Sequence, residues 1–250
     1  MSSNTTYLVT GGNRGLGLGF VKTLLARPNA AVIAGVRDPS RPSSQALSEL
    51  PVGNSSSLII VKIESDLKES VLAAMQDLQK NHGINSLDVV IANAGIANNV
   101  PTVAEADLEE LKEHFLVNTA GVVGLFQAVL PLLNQSQKQK MFVAISSNAA
   151  CIGDLETRNF PNAVYGPSKA ALNHLVKRIH LEHKDITAFP VHPGWVQTDM
   201  GNAGAVKFGL EKAELTVDES VGGVVKLIDG ATKQETSGRF WNYLGGQEVW

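Results

Sequence analysis

A glycine-rich stretch near the N-terminus reads Thr10-Gly11-Gly12-Asn13-Arg14-Gly15-Leu16-Gly17. It follows a short apolar run, Tyr7–Thr10, which is typical of a buried strand. It opens the segment Gly15–Ala26, in which apolar residues recur every four positions, as on one face of a helix. The stretch therefore predicts a tight connection between a buried strand and the helix that covers it.

A connection of this kind suits the binding of a pyrophosphate, because free backbone N–H groups and the helix dipole both point at the ligand. In this pattern Gly11 permits the tight turn, Gly15 lets the backbone approach the ligand, and Gly17 lets helix and sheet pack closely. An ordinary glycine-rich turn is the alternative interpretation, and the strand–turn–helix context favours the binding loop.

The rest of the chain repeats the alternation of strand and helix. Further strands are predicted at Ala31–Val36, Leu58–Ile63, Leu87–Ala92, Met141–Ser146, Ile186–Val191 and Arg239–Tyr243. Helices are predicted at Gln45–Leu50, Leu67–Lys80, Ala106–Leu133, Val164–His183 and Val217–Asp229. The order predicts an α/β fold, a Rossmann-type doubly wound parallel sheet of about seven strands with helices on both faces. No linker divides the chain, so we expect one domain over residues 1–250.

The composition excludes several classes of protein. The chain has 250 residues, 44% of them hydrophobic and 18% charged, so it is neither disordered nor fibrous. A net charge of −3 gives no sign of a nucleic-acid or membrane partner. The single cysteine, Cys151, excludes an internal disulfide and a zinc site of several thiolates. We expect a cytoplasmic location, since the first residues lack a signal-peptide pattern and no apolar run reaches ~18 residues.

The end of the second strand, Val36-Arg37-Asp38, bears on which dinucleotide binds. A carboxylate near this position usually holds a free ribose 2′-hydroxyl, whereas arginine accommodates a 2′-phosphate. Arg37 comes first and Arg14 lies in the glycine loop, so two cations can clamp a phosphate. We therefore favour NADP(H) over NAD(H), and Asp38 holding a ribose hydroxyl is the alternative.

A tyrosine and a lysine lie four residues apart in Tyr165-Gly166-Pro167-Ser168-Lys169. On a helix this spacing places both side chains on one face, and Pro167 suits a first helical turn. A tyrosine with its ordinary pKa of ~10 is a poor acid–base catalyst at neutral pH, and a neighbouring ammonium lowers that pKa. The pair is a candidate proton donor to a carbonyl oxygen that receives a hydride.

Taken together, the motifs resemble the single-domain branch of the short-chain dehydrogenases/reductases over nearly the whole chain. The matching segments are, in family order, Thr10–Gly17, Asn93-Ala94-Gly95, Asn118, Ser146-Ser147, Tyr165 with Lys169, and Pro193-Gly194 with Thr198. Within the family, the segment His192–Met200 resembles the C-factor-like and fungal norsolorinic-acid-ketoreductase-like members.

The resemblance implies four catalytic residues, Asn118, Ser147, Tyr165 and Lys169. It makes Tyr165 the acid/base, with Lys169 lowering its pKa and holding the nicotinamide ribose. It has the serine hydrogen-bond the substrate oxygen, so that the two hydroxyls form a donor site for developing alkoxide charge. By the same resemblance, Asn118 maintains an irregularity in its helix and holds a water of the proton relay. The hydride chemistry belongs to the cofactor.

The resemblance also implies a set of cofactor-binding residues along the carboxyl edge of the sheet. They are Thr10, Gly11, Asn13, Arg14, Gly15, Leu16, Gly17, Arg37, Glu64, Ser65, Asn93, Ala94, Gly95, Tyr165, Lys169, Pro193, Gly194, Val196 and Thr198. No metal is expected, because the six histidines show no metal-ligand spacing with acidic partners.

Two assignments stay open at the level of sequence. Strand alternation points Ser146 and Ser147 to opposite faces, and the family pattern favours Ser147, with Ser146 as the alternative. The third strand ends in Glu64-Ser65-Asp66-Leu67. The spacing favours Glu64 and Ser65 beside the adenine, whereas Asp66-Leu67 looks more like the family motif, an Asp followed by an apolar residue that contacts the adenine. Between the serines and Tyr165, residues 151–162 carry a small insertion beside the substrate.

The sequence thus predicts an NADPH-dependent ketoreductase for a hydrophobic, polyketide-like ketone. A mobile substrate lid is expected at residues 199–215, after the segment that embraces the nicotinamide. The alternative is a non-catalytic dinucleotide-sensing or protein-binding module on the same fold, since fold does not fix function. The long helices Ala106–Leu133 and Val164–His183 could form the interface of a homodimer or homotetramer, or be covered within the monomer.

Overall fold

The computed structural model describes residues 4–158 and 160–250, and the strands in them form one sheet. The strands are β1 (Thr5–Thr10), β2 (Ala30–Val36), β3 (Ser57–Lys62), β4 (Val89–Ala92), β5 (Lys140–Ile145), β6 (Ile186–His192) and β7 (Trp241–Asn242). Their order across the sheet is β3-β2-β1-β4-β5-β6-β7, and every pairing between them is parallel. The predicted doubly wound sheet of seven strands is confirmed.

Helices connect these strands and cover both faces of the sheet. They are α1 (Gly15–Leu25), α2 (Pro42–Gln45), α3 (Lys68–His82), α4 (Leu108–Phe115), α5 (Gly121–Gln135), α6 (Tyr165–Glu182), α7 (Asp199–Lys207) and α8 (Val217–Gly230). Thr216 and Glu219 form the predicted capping box at the start of α8, each side chain bonding the backbone of the other.

The hydrophobic core has two layers, one on each side of the sheet. Along β5, Phe142 and Ala144 belong to the layer under α3, α5 and α6, whereas Met141 and Val143 belong to the layer under α1 and α8. Both sets are buried, because successive side chains of a strand point to opposite faces. This explains why the strands are continuous apolar runs.

Several boundaries differ from the sequence prediction. The last strand covers only two of the five predicted residues, because left-handed glycines at Gly238 and Gly245 bend the chain on either side of it. The predicted helix Gln45–Leu50 is a short α2 followed by the 3₁₀ turn Ala46–Glu49. The predicted helix Ala106–Leu133 starts at Leu108 and contains a π-helical turn between α4 and α5.

The continuous helical stretch Leu108–Gln135 is long and apolar enough to cross a membrane, alone among the helices of the described residues. Most of its apolar window is buried inside the fold. Val122, Phe126 and Val129 of this stretch pack into the core beneath the sheet. Its apolar character therefore follows from its place as a core helix.

Candidate active site at the carboxyl edge of the sheet

The glycine loop between β1 and α1 adopts a backbone that needs glycine. Gly11 and Gly15 have φ angles of +66° and +52°, in the left-handed region that side chains disfavour. A Cβ at Gly17 would lie 2.0 Å from the carbonyl oxygen of Gly11 and 2.7 Å from Asn93 Nδ2. The loop is therefore folded tightly against the first turn of α1, as the sequence predicts.

The start of α1 has no side-chain cap. Arg14 is the N-cap residue, and its side chain makes no capping hydrogen bond to the first turn. The N–H groups of Asn93 and Ala94 both donate to Thr10 Oγ1 at 3.0 Å, and Asn93 Nδ2 donates to the carbonyl oxygen of Thr10 at 2.8 Å. The loop after β4 is thus tied to the glycine loop. The uncapped N–H groups and the glycine backbone fit a dinucleotide pyrophosphate.

The end of β2 lies beside the glycine loop, since β1 and β2 are neighbours in the sheet. Arg14 and Arg37 are both exposed there. The carboxylate of Asp38 accepts hydrogen bonds from the N–H and the hydroxyl of Ser40, which hold its pKa below the usual range. Arg41 lies 3.8 Å from the same carboxylate. Asp38 is therefore engaged within its own loop, while the two arginines are open to solvent.

A different side chain of the glycine loop turns towards the segment after Asp38. Asn13 Nδ2 donates to the hydroxyls of Ser43 and Ser44 at 3.0 and 3.1 Å. Ser44 is buried and its hydroxyl donates to the carbonyl oxygen of Asp38. Asn13 thus joins the glycine loop to α2, and Ser44 in turn joins α2 to Asp38 at the end of β2.

After β3, the two residues predicted to contact the adenine have different surroundings. The carboxylate of Glu64 pairs with Lys62 at 2.9 Å, and its backbone N–H donates to Ser70. Ser65 lines a small cavity together with Thr10 and Ala94. Ser65 therefore lies at the same edge as the glycine loop, whereas the Glu64 carboxylate is bonded to the neighbouring lysine.

Asn118 lies in the π-helical turn Leu116–Ala120, so the predicted helix irregularity is present. Its side chain is fully buried. Its Oδ1 accepts from the N–H of Ile96 at 2.9 Å, and its Nδ2 donates to the carbonyl oxygen of Ile96 at 2.9 Å and to Ser168 Oγ at 3.0 Å. The amide therefore joins the loop after β4 to the first turn of α6.

The two adjacent serines after β5 have different partners. Ser146 is buried, and its hydroxyl donates to Asn173 Oδ1 of α6 at 2.6 Å. The hydroxyl of Ser147 lies near enough to the phenol of Tyr165, the first residue of α6, to lower the pKa of that phenol. Ser147 also accepts from the N–H of Ala149. Of the two alternatives, the geometry therefore brings Ser147 to the tyrosine.

Tyr165 and Lys169 lie together at the start of α6. Lys169 Nζ is 5.8 Å from the centre of the tyrosine ring and donates to the carbonyl oxygen of Ile145 at 2.8 Å. Burial raises the pKa of Tyr165 to about 12, against a smaller lowering by the nearby hydroxyl of Ser147. Burial also lowers the pKa of Lys169 to about 8. Burial, and not the lysine, therefore dominates the pKa of Tyr165 in this structure.

The segment after β6 returns to the glycine loop. Gly194 has a φ of +84°, and a Cβ there would lie 2.2 Å from a methyl carbon of Leu215. Thr198 caps α7 by accepting from the N–H of Gly201, and its methyl group lies 3.2 Å from the position of a Cβ on Gly15. Pro193 and Val196 are buried between these points. Thr198 and the glycine loop therefore face each other.

Sequence reasoning missed a clamp between the insertion at 151–162 and the C-terminus. Arg158 donates to Asp154 and to Glu248 at 2.7 and 2.9 Å, and the N–H of Gly153 donates to the carbonyl oxygen of Trp250. Cys151 is buried beside this clamp, and burial raises the pKa of its thiol to about 11. No sequence pattern reports such pairings, because the partners lie about ninety positions apart.

Sequence reasoning also missed two asparagines, Asn98 and Asn99, which follow the Asn93-Ala94-Gly95 segment and bind residues of α4 and α7. The spacing of Glu110, Glu113 and His114 places three polar groups on neighbouring turns of α4. This pattern is what in the sequence could have indicated that α4 binds polar side chains.

The family model described as short chain dehydrogenase matches residues 5–205 of the chain. The norsolorinic acid ketoreductase of Aspergillus parasiticus is 42% identical over 246 residues, covering 98% of this chain and 90% of that protein. The corresponding enzyme of Dothistroma septosporum is 43% identical over 250 residues, covering 99% of this chain and 93% of that protein. The resemblance drawn from the motifs is confirmed.

Among solved structures, the NADPH-bound carbonyl reductase from chicken fatty liver superposes with a TM-score of 0.86. The two proteins are 34% identical, and the match covers all of both chains. The carbonyl reductase Sniffer of Drosophila melanogaster superposes with a TM-score of 0.85 at 28% identity, again over all of both chains.

Proposed function

The chain belongs to the short-chain dehydrogenase/reductase family, and from this premise we propose that it is an NADPH-dependent ketoreductase with Tyr165 as the general acid. The observation that carries the proposal is the convergence of Ser147, Tyr165 and Lys169 beside the glycine loop. The Ser147 hydroxyl lies near enough to the phenol to lower its pKa, and the ammonium group of Lys169 lies 5.8 Å from the centre of the ring. These three side chains together can deliver a proton to a carbonyl oxygen.

NADP(H) is the cofactor, and the nicotinamide supplies the hydride when it is bound. The glycine loop and the uncapped start of α1 suit its pyrophosphate. Arg14 and Arg37 are free to bind a 2′-phosphate, while Asp38 is already bonded to Ser40. The chicken carbonyl reductase, of the same fold, was solved with NADPH bound.

Tyr165 donates the proton. Its pKa of about 12 keeps the phenol protonated at neutral pH, which is the form that a general acid needs. The hydroxyl of Ser147 is a second donor beside it, so the two hydroxyls stabilise negative charge on the substrate oxygen. Lys169 is held against Ile145 in the same pocket and lies where the cofactor ribose is expected.

The substrate is the ketone of a hydrophobic, polyketide-like molecule of secondary metabolism. Relatives at more than 40% identity are named for ketoreduction. Trp195, Phe160 and Phe208 form an aromatic group beside the site, with ring centroids 5.8 and 6.1 Å apart. Residues 1–250 form one domain, with a substrate lid at 199–215, and act in the cytoplasm. A homodimer or homotetramer stays a prediction.

The test measures loss of NADPH absorbance with a panel of ketones, from small aliphatic to polycyclic aromatic. Tyr165→Phe should abolish turnover and leave the Kd for NADPH largely unchanged, because only the proton donor is removed. Tyr7→Phe, a buried tyrosine in β1, is the matched control and should keep its turnover. Retained turnover in Tyr165→Phe refutes the assigned acid.

Two further outcomes separate the alternatives. Arg37→Ala should weaken NADPH binding far more than NADH binding, and equal losses contradict the phosphate clamp. Binding of NADPH by the wild-type protein without turnover of any ketone in a broad panel would favour the non-catalytic module.

A further inference from the structure

The lid, residues 199–215, is pinned at its base. Leu215 forms a parallel bridge with Val196. The N–H of Gln197 donates to the carbonyl oxygen of Leu215 at 2.7 Å. The N–H of Leu215 donates to the carbonyl oxygen of Trp195 at 3.0 Å. The two ends of the lid are therefore joined beside β6.

Two neighbouring asparagines after β4 are held by α4. Asn98 Nδ2 donates to Glu113 Oε2 at 3.2 Å, and Asn99 Nδ2 donates to Glu110 Oε2 at 3.1 Å. The backbone N–H of Asn98 lies 3.3 Å from Nε2 of His114, which is fully buried. Because the amide nitrogens face carboxylates, the amide oxygen of Asn99 is left to face the other side.

The last residue of α7, Lys207, occupies that other side. Its Nζ donates to the carbonyl oxygen of Asn98 and to Oδ1 of Asn99, the latter at 3.3 Å. The sequence of groups is carboxylate, amide, ammonium, in which each hydrogen bond polarises the next in the favourable direction. Lys207 thus joins the end of α7 to the loop after β4, which is itself held by α4.

The next residue, Phe208, packs against two other aromatic rings. Its ring meets Phe160 edge to face at 5.8 Å and Trp195 at 6.1 Å between centroids. Phe160 belongs to the segment that leads into Tyr165, and that segment is tied to the loop after β4 by the N–H of Ala163, which donates to Pro101. Two consecutive residues therefore hold the end of α7, Lys207 by hydrogen bonds to the loop after β4 and Phe208 by contacts with aromatic rings.

We propose that Lys207 is a positioning residue that latches the lid over the active site through Asn98 and Asn99. The proposal rests on the proposed function, since it assumes that a ketone enters under this lid. Opening the lid for substrate breaks the hydrogen bonds of Lys207 and the contacts of Phe208, while the pinned base stays in place. Closure restores them and holds the substrate beside Tyr165.

The test compares Lys207→Met, which keeps the length of the side chain and removes its donors, with Lys207→Arg, which restores a cation. We expect backbone hydrogen exchange in residues 199–210 of the NADPH-loaded protein to speed up about three- to tenfold in Lys207→Met, the equivalent of one or two lost hydrogen bonds. The KM for the ketone should rise by a similar factor, with kcat not reduced and the Kd for NADPH unchanged.

Controls separate the latch from a general effect of charge. Lys226→Met removes an exposed lysine from α8 and should change neither exchange nor KM. Asn99→Ala should reproduce part of the effect, and Lys207→Met should then have a smaller effect in the Asn99→Ala background, since the two side chains act together. Lys207→Arg should return both measurements towards those of the wild-type protein.

Unchanged exchange and unchanged KM in Lys207→Met overturn the proposal, as does a fall in kcat at constant KM. Exchange in residues 199–210 is measured without any ketone. If the wild-type protein reduced no ketone, the proposed function would fail while the exchange measurement still decided whether Lys207 holds the lid.

Discussion

Replacement of Asn118 tests whether one buried amide holds the active site together. Asn118→Ala removes three hydrogen bonds, two to the backbone of Ile96 and one to Ser168 Oγ. The N–H and carbonyl groups of Ile96 lose their partner in a partly buried place, and each such group costs about 1 kcal/mol. With the bond to Ser168, the expected loss in the free energy of unfolding is about 2–4 kcal/mol.

The same change should lower turnover. Ser168 lies in the first turn of α6, and its hydroxyl also donates to the carbonyl oxygen of Tyr165 at 2.7 Å. Loss of the amide therefore loosens both the loop after β4 and the backbone that carries the proposed acid. We expect kcat to fall more than the affinity for NADPH, because the hydrogen bonds of the Asn118 side chain go to Ile96 and Ser168 and not to the glycine loop.

The assay is urea denaturation followed by tryptophan fluorescence, with turnover measured on the same preparations. Asn81→Ala, at an exposed asparagine of α3, is the matched control and should change the free energy of unfolding by less than about 0.5 kcal/mol. A loss below about 0.5 kcal/mol in Asn118→Ala, equal to that of the control, refutes the reasoning.

A second variant separates the acceptor of the amide from its donor. Asn118→Asp keeps an acceptor for the N–H of Ile96 but sets a carboxylate oxygen against the carbonyl oxygen of the same residue. Burial raises the pKa of such a carboxyl, and its protonated form restores a donor. The deficit in stability relative to the wild-type protein should therefore shrink between about pH 8 and about pH 6. A deficit that is constant with pH contradicts this account.

Three further changes test other parts of the site. Gly17→Ala forces a methyl group into the glycine loop and should weaken NADPH binding about tenfold or more, whereas Gly222→Ala, with open space around its Cβ position, should not. Lys169 has a pKa of about 8 in the folded protein and 10.5 ordinarily. Between these two values the unfolded chain binds more protons than the folded protein does. The lysine therefore destabilises the fold most below pH 8. The free energy of unfolding of the wild-type protein, minus that of Lys169→Met, should therefore rise by about 2 kcal/mol between about pH 7.5 and about pH 9.5. Both are measured in urea, and this pH range stays below the ordinary pKa of tyrosine. Glu248→Gln weakens the partly buried ion pair with Arg158 and should raise the KM for the ketone without changing the Kd for NADPH. Equal changes in both constants would place the clamp outside the substrate side of the site.

The order of strands and helices could be predicted from the sequence because each signal is local. The glycine loop, the apolar runs and the capping box at Thr216 depend on residues within a few positions of each other. The π-helical turn at Leu116–Ala120 could not be predicted from the apolar pattern, since a π turn shifts the register of a helix by only one residue. The resemblance to the family, carried by Asn118, indicated it instead.

The contacts that complete the site are not local, and the sequence alone does not report them. Lys207 meets Asn98 and Asn99 across more than a hundred positions, and Glu248 meets Arg158 across ninety. Each pairing depends on how loops fold over the finished sheet, and neither a lysine nor a glutamate in the sequence indicates which residue will be its partner. What the sequence does indicate is the edge at which those loops must gather, because parallel strands end there.

The main difference between expectation and structure concerns the proton. The spacing of Tyr165 and Lys169 suggests a lysine that lowers the pKa of the tyrosine, yet burial raises that pKa to about 12 and lowers that of the lysine to about 8. Desolvation drives both groups towards their neutral forms. A neutral phenol is loaded for donation, which serves reduction of a ketone, whereas oxidation of an alcohol needs the phenolate that burial disfavours. The spacing of Tyr165 and Lys169 could not reveal this burial, because it arises from the elements that pack over the start of α6.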